Sequence, residues 1–303
     1  MIMGRYASIL RFFYRTCMLR HECPLIASFK VTYQCNLACR ACPFHFLAGE
    51  PGSHMDWDTA CSSLDALARI GCPIVVFEGG EPLLWSAGTH TFRDLVDYAK
   101  ERFGIVCVTT NGTLALDCPT DILWVSVDGL RDTHNYLRSD SYDLVMENIT
   151  ASSQPKLFVH ITLNSLNFRE CADIVQTVSS IPTVKGITLQ LFYPYGQGEE
   201  SLALTSEERK LVLDNVLALK KKGYPILNSA WALNAMIDNS WPCREKLLAN
   251  VSPDGRVVLG CYVKDRGEVV CSQCGFTPVA EASGAYSLLP GPLMAGLRIF
   301  LFS

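Results

Sequence analysis

Short, nearly continuous apolar runs recur along the first two thirds of the chain, at 25–32, 73–78, 105–109, 122–127, 157–163 and 187–192. Most are β-branched or aromatic, the pattern of parallel strands buried on both faces. Segments of helical period lie between them. The first, 57–70, starts after Asp56 and stops at Gly71; others cover 92–102, 142–151 and 168–179. A further helix over 206–222 opens with the capping box Thr205-x-x-Glu208 and ends in lysines before Gly223. Only the connection from 109 to 122 is too short for a full helix. Six such units predict an α/β fold, an open partial (βα)6 barrel of TIM type, with strand C-terminal ends facing one mouth. The alternation stops near Ala230. This divides the chain into an N-terminal amphipathic helix (1–24), the barrel (25–229) and a cysteine-rich extension with an apolar tail (230–303).

Composition narrows the setting. Apolar residues make up 49% of 303, enough for a substantial core, and a net charge of −4 leaves no electrostatic footprint for nucleic acid. Fourteen cysteines are many for this length. The first residues carry Arg5, Arg11, Arg15 and Arg20, with no uninterrupted apolar stretch and no small-residue cleavage site, so a signal peptide is not expected. No segment offers the ~20 apolar residues of a membrane span. A reducing cytoplasm, with thiols available for iron, is the expected compartment.

Three of those thiols form one motif, Cys35-Asn-Leu-Ala-Cys39-Arg-Ala-Cys42-Pro43, in the loop after the first predicted strand. Its C-x3-C-x2-C spacing suits three thiolates around one corner of a [4Fe-4S] cluster. With no fourth cysteine nearby, one iron stays open for a small molecule. The alternatives are structural thiols or a zinc site, which would want a fourth ligand and usually paired C-x2-C knuckles.

With this motif the chain resembles the radical S-adenosylmethionine (SAM) superfamily, over roughly residues 25–196. The resemblance implies that SAM chelates the open iron and is split reductively to a 5′-deoxyadenosyl radical, with a flavodoxin- or ferredoxin-type donor supplying the electron. It implies that Gly79, Gly80, Glu81 and Pro82, after the second strand, receive the methionine amino group. Ser126 and Asp128, ending the fourth strand, would contact SAM, and Arg138 would pair with its carboxylate; an ordinary surface arginine is the alternative. Asn111 and Asn164, after the third and fifth strands, either line the mouth or shape turns. The family usually carries an aromatic residue just before the third cysteine, where this chain has Ala41.

Beyond the barrel, Cys243, Cys261, Cys271 and Cys274 flank the hairpin signal Asp254-Gly255. Four thiolates there can hold a second [4Fe-4S] cluster or zinc, and the layout resembles the short auxiliary-cluster extensions of radical SAM enzymes. The Asp128-Gly-Leu-Arg-Asp-Thr-His run, Cys261-Tyr262 and Cys274-Gly-Phe276 resemble the radical SAM enzymes that add an adenosyl group to hopanoid lipids. Ile2, Tyr6, Ile9, Leu10, Phe13 and Cys17 form an apolar stripe. Leu293, Met294, Leu297, Phe300 and Leu301 follow helical spacing after Pro292. These helices either meet a membrane surface and a lipid-like substrate or cap the barrel. Two further readings stand beside the lipid: a peptide or protein maturase, and a non-catalytic iron–sulfur scaffold.

Overall fold

The computed structural model describes residues 2–196, 198–261, 270–271 and 274–302; Tyr262 of the Cys261-Tyr262 element and the side chain of Ile2 lie outside the described residues. The six expected strands are present: β1 (Ile26–Thr32), β2 (Ile74–Gly79), β3 (Ile105–Thr110), β4 (Ile122–Ser126), β5 (Leu157–Leu163) and β6 (Val184–Leu191). They pair in parallel, each with its sequence neighbour. Helix α1 (Ile2–Phe13) precedes them. Between strands come α2 (Trp57–Ile70), α3 (Phe92–Lys100), α4 (Arg131–Arg138), α5 (Tyr142–Ala151) and α6 (Cys171–Ser179), with α7 (Ser206–Lys221) after β6. No helix joins β3 to β4.

Local chemistry explains the boundaries. The Asp56 carboxylate accepts from the Thr59 N–H at 2.7 Å to start α2, and Gly71 closes it at φ +90°. The Thr205–Glu208 capping box forms with both reciprocal bonds. Helix α4 was not expected, because its short segment buries only His134 and Leu137 and carries too weak an apolar period.

The segment beyond 230 does more than hang from the barrel. Helices α8 (Ala230–Asp238), α9 (Thr277–Tyr286) and α10 (Pro290–Gly296) follow, with strands β7 (Leu248–Val251) and β8 (Val257–Leu259) between α8 and α9. β7 pairs in parallel with β1, and β8 returns antiparallel through the Asp254-Gly255 turn, where Gly255 has φ +82°. The sheet is therefore eight-stranded, in the order β8-β7-β1-β2-β3-β4-β5-β6. Sequence pattern predicts the hairpin but not its partner, since a four-residue strand carries no mark of the edge it will join.

The two termini meet at the N-terminal end of the strands. Phe12 and Leu301 are buried with Leu25, Ile74, Ile105, Ile122, Trp124 and Phe158, and Ile9, Phe13, Leu297 and Phe300 pack against them. This corrects the expected stripe on α1. Phe12 and Thr16 face inward with Ile9 and Phe13, while Tyr6, Leu10 and Cys17 face outward. The helix offers two apolar faces, and the barrel takes the one carrying Phe12. The tail is likewise a floor for the barrel, with Leu288, Met294 and Phe302 its exposed large apolar side chains among the described residues.

Candidate active site

The cysteine loop lies at the mouth, held from three directions. The Gly80 N–H donates to the Thr32 carbonyl at 2.7 Å and the Glu81 N–H to the Gln34 carbonyl at 2.8 Å, tying the β2 loop to the chain entering Cys35. The approach leaves no room for side chains. A Cβ on Gly79, at φ +127°, would lie 2.4 Å from the Thr32 oxygen, and one on Gly80 would lie 2.0 Å from the Gln34 oxygen. Both positions require glycine.

Glu81 and Pro82 stand behind this contact, off the cavity wall. The Glu81 carboxyl is fully buried and accepts from Thr110 Oγ1 at 2.8 Å, Asn111 N–H at 2.7 Å and Leu83 N–H at 3.1 Å. Burial pushes its pKa above the usual carboxylate range against these donors. Its oxygens are spent on bracing the β2 and β3 loops beside the glycines, not on the cavity expected of it.

Asn111 answers the choice between mouth and turn with both. Its Nδ2 lies 3.6 Å from Cys35 Sγ and 2.8 Å from Asn36 Oδ1, while its Oδ1 accepts from the backbone and hydroxyl of Thr113. Cys35 Sγ also receives the Leu37 N–H at 3.4 Å. Burial raises the Cys35 and Cys39 thiols, and the Arg138 guanidinium pulls Cys39 back down. Arg138 feels all three motif cysteines. It donates from Nη1 to Asp128 Oδ2 at 3.0 Å, while Asp128 Oδ1 accepts the Thr162 N–H at 2.7 Å. Burial still raises the Asp128 carboxyl, although Arg138 opposes it. The surface-arginine alternative fails, since the Arg138 side chain is only 15% exposed. Asn164 also lines the cavity, but its Oδ1 accepts the Leu166 and Asn167 N–H groups and its main work is the turn after β5.

These groups open onto one cavity of about 550 Å³. Cys35, Cys39, Cys42, Gly79, Gly80, Asn111, Ser126, Asp128 and Arg138 line its mouth; Ile26, Ile74, Trp124, Leu297 and Phe300 line its floor. Ala41 stands on the same wall, with Phe44 nearby supplying an aromatic side chain on the other side of the third cysteine. The fit to SAM and a cluster rests on the chain's own atoms. Three thiols share one face with a cation, and the buried Arg138 Nε has no partner among the described residues, a donor suited to a carboxylate.

Comparison with known proteins decides the family. Residues 29–190, more than half of the chain, match the Radical SAM superfamily. The chain belongs to the radical SAM superfamily. Its cofactors are accordingly a [4Fe-4S] cluster and SAM. Among named relatives of this radical SAM chain is the Fe-coproporphyrin III synthase of Methanosarcina barkeri, 24% identical over 66% of this chain and 53% of that protein. The chain thus matches about half the length of that relative. An AdoMet-dependent heme synthase of the same organism is 24% identical over 84% of this chain and 78% of its own. The structure of Streptococcus suis SuiB bound to precursor peptide SuiA shares the fold, with a TM-score of 0.65 at 14% identity, covering 97% of this chain and 72% of that one.

The C-terminal cysteines gather beside Phe276 without lining this cavity. The buried Cys274 thiol is pushed up to about 12, first by burial, then with Cys261, Cys243 and Cys271 close enough to add to the shift. The Arg209 guanidinium lies beside it. Among the described residues, no three His, Cys, Asp or Glu side chains converge tightly enough for a single metal ion.

Sequence reasoning missed four polar residues of the cavity wall: Glu78, His160, Thr188 and Glu281. His160 and Thr162 alternate along an otherwise apolar strand, a signal of a polar inner face that was available. Burial lowers His160 to about 4, so its ring is neutral at pH 7, with Nδ1 2.9 Å from Thr188 Oγ1. Glu281 lies on α9, where nothing in the local sequence points to the barrel.

The glycine contact yields a direct test. Gly80→Ala should cost roughly 1–3 kcal/mol by overpacking, read by urea unfolding, and should weaken SAM binding by displacing the cysteine loop. Unchanged stability together with unchanged SAM binding would show that the contact does not position the loop.

Proposed function

We propose that this radical SAM enzyme modifies a substrate with a large apolar body, lipid-like in character, held in the barrel beneath SAM. The carrying observation is the continuity of the cavity from the three cysteines to the apolar floor built by α1 and the tail. Burying apolar substrate surface against that floor contributes about 25 cal/mol per Å². When bound, the cluster and SAM supply a 5′-deoxyadenosyl radical. The chain's part is to orient and shield: Arg138 offers its guanidinium to the SAM carboxylate, Asp128 fixes Arg138, Asn111 donates to Cys35, and the helical floor excludes water from one end. Ser126 and Asn164 stand on the wall as further polar contacts. A reduced flavodoxin or ferredoxin is the proposed electron source. The names of the relatives, an Fe-coproporphyrin III synthase and a heme synthase, make an iron porphyrin a second candidate occupant of the cavity.

A peptide substrate is the rival reading, favoured by the gathering of Cys243, Cys261, Cys271 and Cys274 and by the peptide bound in the SuiB structure. We read these four thiols as ligands of an auxiliary [4Fe-4S] cluster, since cluster thiolates on different irons stand farther apart than thiolates sharing one zinc.

Membrane contact rests on one face of the N-terminal helical segment. Leu10, Tyr14 and Met18 are 68%, 57% and 72% exposed, four residues apart, with Arg11 and Arg20 beside them. Among the described residues, no helix is long and apolar enough to cross a membrane. The proposal is peripheral attachment from the cytoplasm at the inner membrane surface.

Three experiments follow. Anaerobic protein given isotope-labelled SAM and lipid, porphyrin or peptide extracts should form either 5′-deoxyadenosine, with the changed product in the lipid fraction, or an adenosylated product that carries the label into the lipid fraction. Replacing Cys35, Cys39 and Cys42 with alanine should abolish SAM cleavage, and label confined to peptides would select the rival. In that triple variant, iron analysis should still find about 4 iron per chain; zinc, or no metal, would remove the auxiliary cluster. Finally, the protein should float with liposomes containing anionic lipid, and the Leu10→Glu/Met18→Glu variant should not. Absence of flotation in both would end the membrane proposal.

A further inference from the structure

The deep half of the cavity contains one polar group without a protein partner. Glu281, on α9, lines the cavity next to Ala282, which belongs to the apolar floor cluster. Its Oε1 accepts the Ser229 N–H at 2.6 Å, whereas its Oε2 is buried and has no hydrogen-bond partner among the described residues. The Ser229 hydroxyl stands beside the carboxyl and accepts the Ala232 N–H, and the other neighbouring polar groups are committed elsewhere. Asn228 closes both of its bonds on the Leu189 backbone, Thr277 donates to the Leu189 carbonyl, and His160 and Thr188 bond to each other. Lys220, the cation facing Glu281, donates to the Ile226 carbonyl.

A carboxyl oxygen buried without a partner is costly, and proteins rarely keep one without a use. Here the apolar floor lies on one side of the carboxyl and Ser229 and Lys220 on the other, the oxygen belongs to a cavity-lining side chain, and the unpartnered Nε of Arg138 sits at the opposite end. The cavity therefore offers one such contact at its mouth and another beside its apolar floor.

We infer that Glu281 is a specificity-determining residue that receives a hydroxyl group carried by the deep end of an otherwise apolar substrate. Burial raises the Glu281 carboxyl to about 7, so both protonation states are populated near neutral pH. A hydroxyl satisfies both, donating to the carboxylate and accepting from the acid. An ammonium group would serve only the ionised form, and an ether only the acid.

This inference rests on reading the cavity as the substrate site, and the test separates the two. Equilibrium dialysis would measure binding of 1-decanol and of its methyl ether to anaerobically reconstituted, SAM-loaded protein. The alcohol should bind about tenfold more tightly than the ether, a difference near 1.4 kcal/mol. Glu281→Leu should abolish that preference while keeping ether binding; it also removes the acceptor of the Ser229 N–H and lowers thermal stability, so the alcohol-to-ether ratio is the readout. Glu281→Gln, which keeps an acceptor for Ser229 and presents a donor to the cavity, should retain part of the preference. Equal affinity for alcohol and ether, or a preference unchanged in Glu281→Leu, would overturn the role of Glu281 alone. Failure of both probes to bind would overturn it together with the apolar-substrate reading.

Discussion

Everything at the barrel mouth depends on the close backbone approach between Gly79–Gly80 and the chain leading into Cys35. Two hydrogen bonds, from Gly80 to Thr32 and from Glu81 to Gln34, set the cysteine loop against the end of β2. The contact is possible only without Cβ atoms. Glu81 extends the constraint to β3 by gripping Thr110 and Asn111, and Asn111 reaches back to Cys35. Three strand ends are thus locked around one thiol before any cofactor contributes, the preorganisation that a reactive site needs.

The opposite end obeys a different constraint. An open six-stranded barrel exposes the apolar N-terminal residues of its strands, and the chain closes it with its own two termini. Phe12 from α1 and Leu301 from the tail sit in one cluster with Ile74, Ile105 and Ile122, the first residues of β2, β3 and β4. The same helices that stabilise the fold define the cavity floor, so packing and cavity shape share residues. The outer face of the N-terminal segment, with Leu10, Tyr14 and Met18 exposed, takes no part in this closure.

Legibility in the sequence followed the range of the forces involved. The six parallel strands were readable because each is a short apolar run buried on both faces, and α2 and α7 because Asp56, Gly71 and the Thr205–Glu208 box mark their ends. The cysteine motif and the glycine pair were readable as local patterns, although only the structure assigns Glu81 to bracing rather than to the cavity wall. Long-range pairings were not readable. Nothing in Leu248–Val251 announces β1 as its partner, α1 offers two apolar faces of similar strength, and Glu281 joins the cavity from a helix more than a hundred residues beyond the motifs. The short polar helix carrying Arg138 was missed for lack of period, although the motif singled out Arg138, which the structure buries on the cavity wall beside Asp128.

The central claim is that SAM binds directly at the cluster held by Cys35, Cys39 and Cys42, with Arg138 as its carboxylate partner. Electron paramagnetic resonance of the reduced, anaerobically reconstituted protein, recorded with and without SAM, tests it most directly. The prediction is a cluster signal whose g-values shift on adding SAM, with the shift weakened in Arg138→Ala at the same SAM concentration. A reduced cluster signal that SAM leaves unchanged in the unaltered protein would contradict it.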